Sequence, residues 1–383
     1  MAVNLNKLYL LSISTWSFCS IVLINSHFLD IIDSRIYGAI ATLIRLCFIF
    51  IIVKKTKGIK DIFKVIIILS IALIVYFYSE SRWFYELSLI LLASKDIERK
   101  QIAKKILMAQ ILVIIVVCGA YFIGLIDTTT LVRTSGRMRN ALGFIHPNGL
   151  GSVLLQISVL YVYIRDARIR VSGYIVLCIL LGICYAVVNS QTNVLLISLL
   201  LIGCIYFNFV DRKVTRLEKI KKWIPRVMCL AIMIVSIVCI LFSAGVISLP
   251  GFESIDSDGT LMSRMQQMQM YYDFYGITWF GQPLVSEMYQ QKKYYLFTLD
   301  NGYTYLILRY GLISYITYIC SSFIIMKNAI SGKNHLIILI MMLYAIVGLS
   351  ETSMLKWEYN FTLFFFADLI GGYRKSQCLR ISN

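Results

Sequence analysis

Residues 106–126 read ILMAQILVIIVVCGAYFIGLI, and after a short polar step residues 133–151 read RTSGRMRNALGFIHPNGLG. The first stretch is apolar over the roughly 20 residues that a helix needs to cross a bilayer. The second holds three arginines within seven residues, Arg133, Arg137 and Arg139, and then turns through Gly143, His146, Pro147 and Gly149 into another apolar run. A lipid-spanning helix, a cationic connection and a second lipid-spanning helix are the unit from which the fold is read.

The same alternation fills the 383-residue chain, which is 59% hydrophobic and 15% charged, with a mean hydropathy of +0.76. That much apolar surface cannot be hidden in one water-soluble core. We read an all-α polytopic membrane protein, a single domain over 1–383, with about twelve transmembrane helices. They are expected near 8–29, 36–53, 62–79, 83–94, 106–126, 143–164, 171–188, 194–210, 227–247, 303–325, 336–349 and 361–372. The fourth, eleventh and twelfth are short and are read as tilted, re-entrant or not crossings. The first run has no small-residue cleavage pattern and is read as a retained anchor.

In a soluble protein a net charge of +17 would point to nucleic acid, but here placement decides its meaning. Basic residues gather after the even-numbered helices, for example Lys54, Lys55 and Lys57, then Lys95, Arg99, Lys100, Lys104 and Lys105, then Arg165, Arg168 and Arg170. Such residues in short loops stay on the cytoplasmic side, so both termini are expected there, in the cell membrane, and no nucleic-acid partner is expected. Two segments are left outside: a first outer loop, 127–142, and one large extracytoplasmic loop, 248–302, long enough to be functional. Within the latter, Leu261, Met265, Met268 and Tyr272 recur at helical spacing. They describe either an amphipathic helix on the outer leaflet or a helix packed on the bundle. Gly276 would end it, and Trp279, Phe280 and Gly281 read as an interfacial turn.

Arg133, Arg137 and Arg139 oppose the positive-inside bias. Guanidinium groups match phosphate oxygens bidentately, so a lipid diphosphate is one partner, and snorkelling to lipid headgroups is the other explanation. Arg264 in the large loop carries the same two readings. His146 either bonds a diphosphate or sugar or ties its turn together, and Asn148 is a candidate cap for the sixth helix. Asp300 is either the N-cap of the tenth helix or a general base for a sugar hydroxyl, with Glu253, Asp256, Asp258 and Asp273 as competitors. Arg309, about two turns into that helix, is a further phosphate candidate. Arg45 and Glu86 lie in apolar runs, where an ion pair or a ligand contact would justify them. His27 and His335 are isolated. No metal, nucleotide or triad signature is present, and the cysteines show no C-x-x-C spacing.

Gly136 to Gly151 resembles the "arginine, then G-F-x-H-P-N-x-x-G" stretch of Wzy-type polysaccharide polymerases of capsule and exopolysaccharide clusters. Arg264 followed by Trp279-Phe280-Gly281 is similar to the "arginine … F-G" opening of that family's large outer loop. Asp300-Asn301, nine residues, then Gly311 resembles the closing element in the wider superfamily of O-antigen polymerases and ligases. The resemblance implies a multi-pass, GT-C-like glycosyltransferase. Its expected reaction transfers a glycan from an undecaprenyl diphosphate carrier to the end sugar of another lipid-linked repeat unit, without metal or cofactor. Arg133, Arg137, Arg139, Arg264 and Arg309 are the expected diphosphate contacts, and Asp300, Arg264 and His146 the expected catalytic set. Membrane lipids surround the chain, and the flippase and chain-length regulator of such a pathway are further expected partners. Two departures stand out: ligases carry histidine where this chain has Asp300, and the turn 189–192 has Gln191 where many members have arginine. A ligase acting on a distinct acceptor and a lipid-linked oligosaccharide flippase remain the rival expectations.

Overall fold

The computed structural model describes residues 4–132, 136–210, 218–247, 260–284 and 299–370. It is mostly helical. The helices are α1 (Leu5–Ile24), α2 (Ser34–Lys55), α3 (Ile59–Ser79), α4 (Trp83–Ala93), α5 (Arg99–Phe122), α6 (Pro147–Ile164) and α7 (Val171–Ile183). They continue with α8 (Gln191–Ile205), α9 (Glu218–Ser243), α10 (Thr260–Tyr275), α11 (Gly302–Ser331), α12 (His335–Ser350) and the one-turn α13 (Ala367–Ile370). Among the described residues nine helices are long and apolar enough to cross a membrane. The three shorter apolar helices are Trp83–Ala93, His335–Ser350 and Phe361–Ile370, at the positions where short spans are expected. The last departs most from expectation. Residues Phe361–Phe366 form a 3-10 helix, at whose start Asn360 Oδ1 accepts from Thr362 N, at 2.9 Å, and from Thr362 Oγ1, at 2.6 Å. A hairpin, β1 (Thr130–Val132) paired antiparallel with β2 (Met138–Asn140), occupies a loop where no strand is expected.

The chain divides into two compact units. The first comprises residues 1–57, 89–219 and 357–373, with α6 at its centre: 78% of that span is buried. In lipid the apolar effect between helices is lost, and close packing takes its place. Accordingly α6 presents small residues to its neighbours: a Cβ on Gly151 would lie 2.6 Å from Asn193 Nδ2 of α8, so a larger residue there would displace the Asn193 side chain. Arg45 of α2 lies over the Trp16 ring, 5.8 Å from its centroid, and donates to Thr42 Oγ1 at 3.3 Å. Arg99, expected to mark only orientation, is instead 4% exposed, and its Nη2 meets Asp368 of α13 at 2.9 Å.

The second unit comprises the described residues within 58–88 and 220–356. There α11 packs on α12, α3 and α10. Tyr303 Oη donates to Ala345 O of α12 at 2.9 Å, Ser243 of α9 and Thr304 of α11 share a bond at 2.9 Å, and Trp83 Nε1 donates to Leu355 O. The first two of these contacts fix the first turns of α11, next to the candidate residue Asp300.

Candidate functional site

In the first unit the site is built on the turn between β2 and α6. Asn140 Oδ1 accepts from Thr128 Oγ1 at 3.0 Å and from Leu142 N at 2.8 Å. Gly143 has φ +90°, and a Cβ there would lie 3.0 Å from Val117 O and from Ile126 Cδ1, so both conformation and space require glycine. The turn is also tied to the end of α1: His27 N donates to Gly143 O at 2.9 Å and Ile145 N to Asn25 O at 3.2 Å. His27 is therefore not isolated; its Nε2 lies 2.9 Å from Thr129 Oγ1 and its Nδ1 2.7 Å from Asp30 Oδ2.

This anchoring presents His146 as the N-cap of α6, where Nδ1 accepts from Asn148 N at 3.1 Å. The cap is thus His146 and not Asn148. A backbone N–H can only donate, so Nδ1 must carry a lone pair and the neutral ring holds its proton on Nε2. Loss of hydration, followed by the nearby Arg139 guanidinium, lowers the imidazole pKa from 6.5 and favours that neutral form. His146 is exposed, and Nε2–H is left as an outward donor.

Asn148 is occupied otherwise: its Oδ1 accepts from Arg139 Nη2. Arg139 Nε also donates to Val188 O at 3.3 Å, where a π-helical turn, Cys184–Val188, ends at Asn189 with φ 50°. One guanidinium therefore joins the hairpin, the start of α6 and the turn before α8, and a cation stands at that turn although Gln191 is not arginine. Arg137 is exposed and has no partner among the described residues. Arg133 lies outside the described residues.

In the second unit Asn301, not Asp300, caps α11: its Oδ1 accepts from Thr304 N at 2.9 Å. Released from capping, the Asp300 carboxylate faces Arg264 of α10, with Nε to Oδ2 at 3.5 Å and side chains 23% and 43% exposed for Arg264 and Asp300. Loss of hydration raises the Asp300 pKa and Arg264 only partly opposes it. Arg309 stands roughly 10 Å along α11 from its start at Gly302, with its Nε buried and unbonded among the described residues. The buried face of α10 carries Gln267, Met268 and Tyr271. It is rotated by about a quarter-turn from the expected Leu261-Met265-Met268-Tyr272 stripe, because Arg264 turns toward its carboxylate. Among the competing acids Asp273 is exposed, and Glu253, Asp256 and Asp258 lie outside the described residues. Among the described residues no three His, Cys, Asp or Glu side chains gather to hold a metal ion.

Comparisons with protein-family models, curated proteins and solved structures find no match. The functional reading therefore rests on geometry and on the motif resemblance. Within the first unit the structure brings together Arg139 and His146, through Asn148; within the second it pairs Arg264 with Asp300. Sequence reasoning missed Asn301 as the cap and His27 as a tie to Thr129. An Asp-Asn pair before an apolar run signals a cap without saying which residue supplies it.

Proposed function

We propose that this chain is a polysaccharide polymerase, a metal- and nucleotide-independent glycosyltransferase. It joins undecaprenyl-diphosphate-linked repeat units on the outer face of the cytoplasmic membrane. In this reading the bundle is GT-C-like with about twelve crossings, both termini are cytoplasmic, and the loops 127–142 and 248–302 are external. The observation that carries it is the Asp300 carboxylate, spared from capping by Asn301 and held, among the described residues, by one long contact to Arg264. A partly dehydrated carboxylate is a better base than an exposed one.

The reaction forms a bond between an acceptor-sugar oxygen and the anomeric carbon of the donor, and breaks the bond from that carbon to the diphosphate. Asp300 takes the hydroxyl proton, and the electron pair leaves with the lipid diphosphate. Within the first unit, Arg137 and the Nε2–H of His146 are the donors suited to a diphosphate. Arg139, already bonded to Asn148 and Val188, holds this donor set in shape while keeping its positive charge. Arg133 and Arg309 are the remaining candidate phosphate contacts.

The test supplies the purified protein in lipid with one lipid-linked repeat unit. A ladder of products supports the polymerase. Dependence on a different acceptor would make it a ligase, and translocation without bond formation a flippase. Accessibility labelling that put residues 136–142 and 264 in the cytosol would end the proposal.

A further inference from the structure

The backbone of α11 is interrupted at Gly311, with φ 83° and ψ 172°. A break frees amides and carbonyls that a continuous helix would pair, and the segment 278–282 takes them. Leu312 N donates to Thr278 O at 2.9 Å, Ile313 N to Trp279 O at 3.2 Å, and Gln282 N to Arg309 O at 3.2 Å. Two glycines permit the approach. A Cβ on Gly281, φ +91°, would lie 2.8 Å from the Tyr310 carbonyl carbon, and one on Gly311 would lie 2.7 Å from that of Phe280.

The same segment also holds α10. Gln282 Nε2 donates to Tyr275 O at 3.1 Å and to Gly276 O at 2.9 Å, the carbonyls at the end of that helix. Gln282 is thus bonded to α10 through its side chain and to α11 through its backbone. Arg264 lies eleven residues before Tyr275, and Asp300 eleven residues before Gly311. Two arms of similar length, about 16 Å for helix, run side by side from the Arg264–Asp300 contact to this second attachment. Between the ends, α10 and α11 pack against each other.

We propose that Gln282 is a positioning residue: together with the Gly281–Gly311 contact it locks the end of α10 to the break in α11 and so sets the register in which Arg264 meets Asp300. The proposal rests on the reading of that pair as the proton-accepting site, but its structural half is tested without activity. Gly311→Ala would strain the fold, so the variants are Gln282→Ala and Gln282→Glu. The second keeps the shape and the backbone N–H while removing both side-chain donors.

Two labels are read on the full-length protein in detergent: amide exchange across Thr260–Gly276, and modification of Asp300 by a water-soluble carbodiimide, with exposed Asp273 as internal control. Both variants are expected to speed exchange in α10 and to raise Asp300 modification several-fold, with Asp273 unchanged. Polymer yield is expected to fall between about tenfold and 100-fold, as a misplacement of about 1 Å does, without a matching loss of thermal stability. Unchanged labelling would overturn the clamp, and altered labelling with full polymer yield would overturn its positioning role. Altered labelling in a protein whose wild type makes no ladder would leave the clamp standing and remove the polymerase reading.

Discussion

The two units each hold a guanidinium in place, and they do it with opposite chemistry. Arg139 is bonded by neutral oxygens, the Asn148 side-chain amide and the Val188 carbonyl, whereas Arg264 faces the Asp300 carboxylate. Neutral acceptors orient a cation without cancelling it, and the exposed Arg137 adds a second cation to the same turn. A carboxylate partner cancels most of the charge at a distance and leaves a local dipole. The first arrangement suits an anion such as a diphosphate, and the second suits moving a proton.

The comparison breaks most visibly at Asp300. Asp300→Asn keeps size and polarity and removes the base, and a positioned base contributes roughly 100- to 10,000-fold, so ladder formation should fall by that order. Stability should move the other way. A carboxyl whose folded pKa is raised contributes stability that is present below its ordinary value of 3.8 and lost as pH rises through the raised value. At neutral pH the ionised group is therefore a net cost to folding, and the asparagine variant should unfold no earlier than the wild type. A variant with normal ladders would show that Asp300 is not the base, and a clearly lower unfolding midpoint would show that the Arg264 contact outweighs the loss of hydration.

The next effect separates the two exposed-loop arginines. Arg137→Ala should weaken diphosphate binding, measured with a lipid diphosphate analogue, and leave the unfolding midpoint unchanged, since no described partner is lost. Arg139→Ala should lower both. It strands the Asn148 and Val188 oxygens, which costs about 1 to 3 kcal/mol where such groups stay buried. Equal behaviour of the two variants in both assays would erase the distinction between a gripping and a shaping arginine.

Much of the helical architecture was legible because bilayer thickness imposes one length on every crossing, and apolar runs of that length stand out between basic turns. Residues Phe361–Phe366 were not legible as a 3-10 helix, since their composition matches a span and the Asn360 bonds at the start of the turn leave no mark on an apolar pattern. Arg99 looked like one more orienting cation because its partner, Asp368, is 269 residues away. At the site, Arg264, Asp300 and His146 were visible as chemistry-bearing types. The division of labour within Asp300-Asn301 was not, because both side chains cap equally well and the backbone of Asn301, φ −67° and ψ 115°, makes the choice. Gln282 carried no signal at all: a lone glutamine in a loop acquires meaning only when two helix ends are brought to it.

The smallest expected effect belongs to His146, and it sharpens the contrast between neutral and charged donors. His146→Asn retains a good N-cap and deletes the outward N–H, so stability should hold while affinity for the diphosphate analogue drops by about 0.5 to 1.5 kcal/mol, the net value of one hydrogen bond. His146→Ala loses the cap too, at about 1 kcal/mol of stability. The proton dependence follows from the lone pair on Nδ1. A histidine whose folded pKa is lowered contributes stability that is present above 6.5 and lost as pH falls through the lowered value, because an imidazolium cannot accept from Asn148 N. Acidification should thus erode the wild-type midpoint below pH 6.5 more than that of His146→Asn, even though the added positive charge favours an anion. Binding and stability should consequently respond to acid in opposite directions in the wild type and lose that opposition in the asparagine variant. Parallel curves for the two proteins would mean that His146 neither caps α6 through Nδ1 nor offers Nε2–H to a ligand.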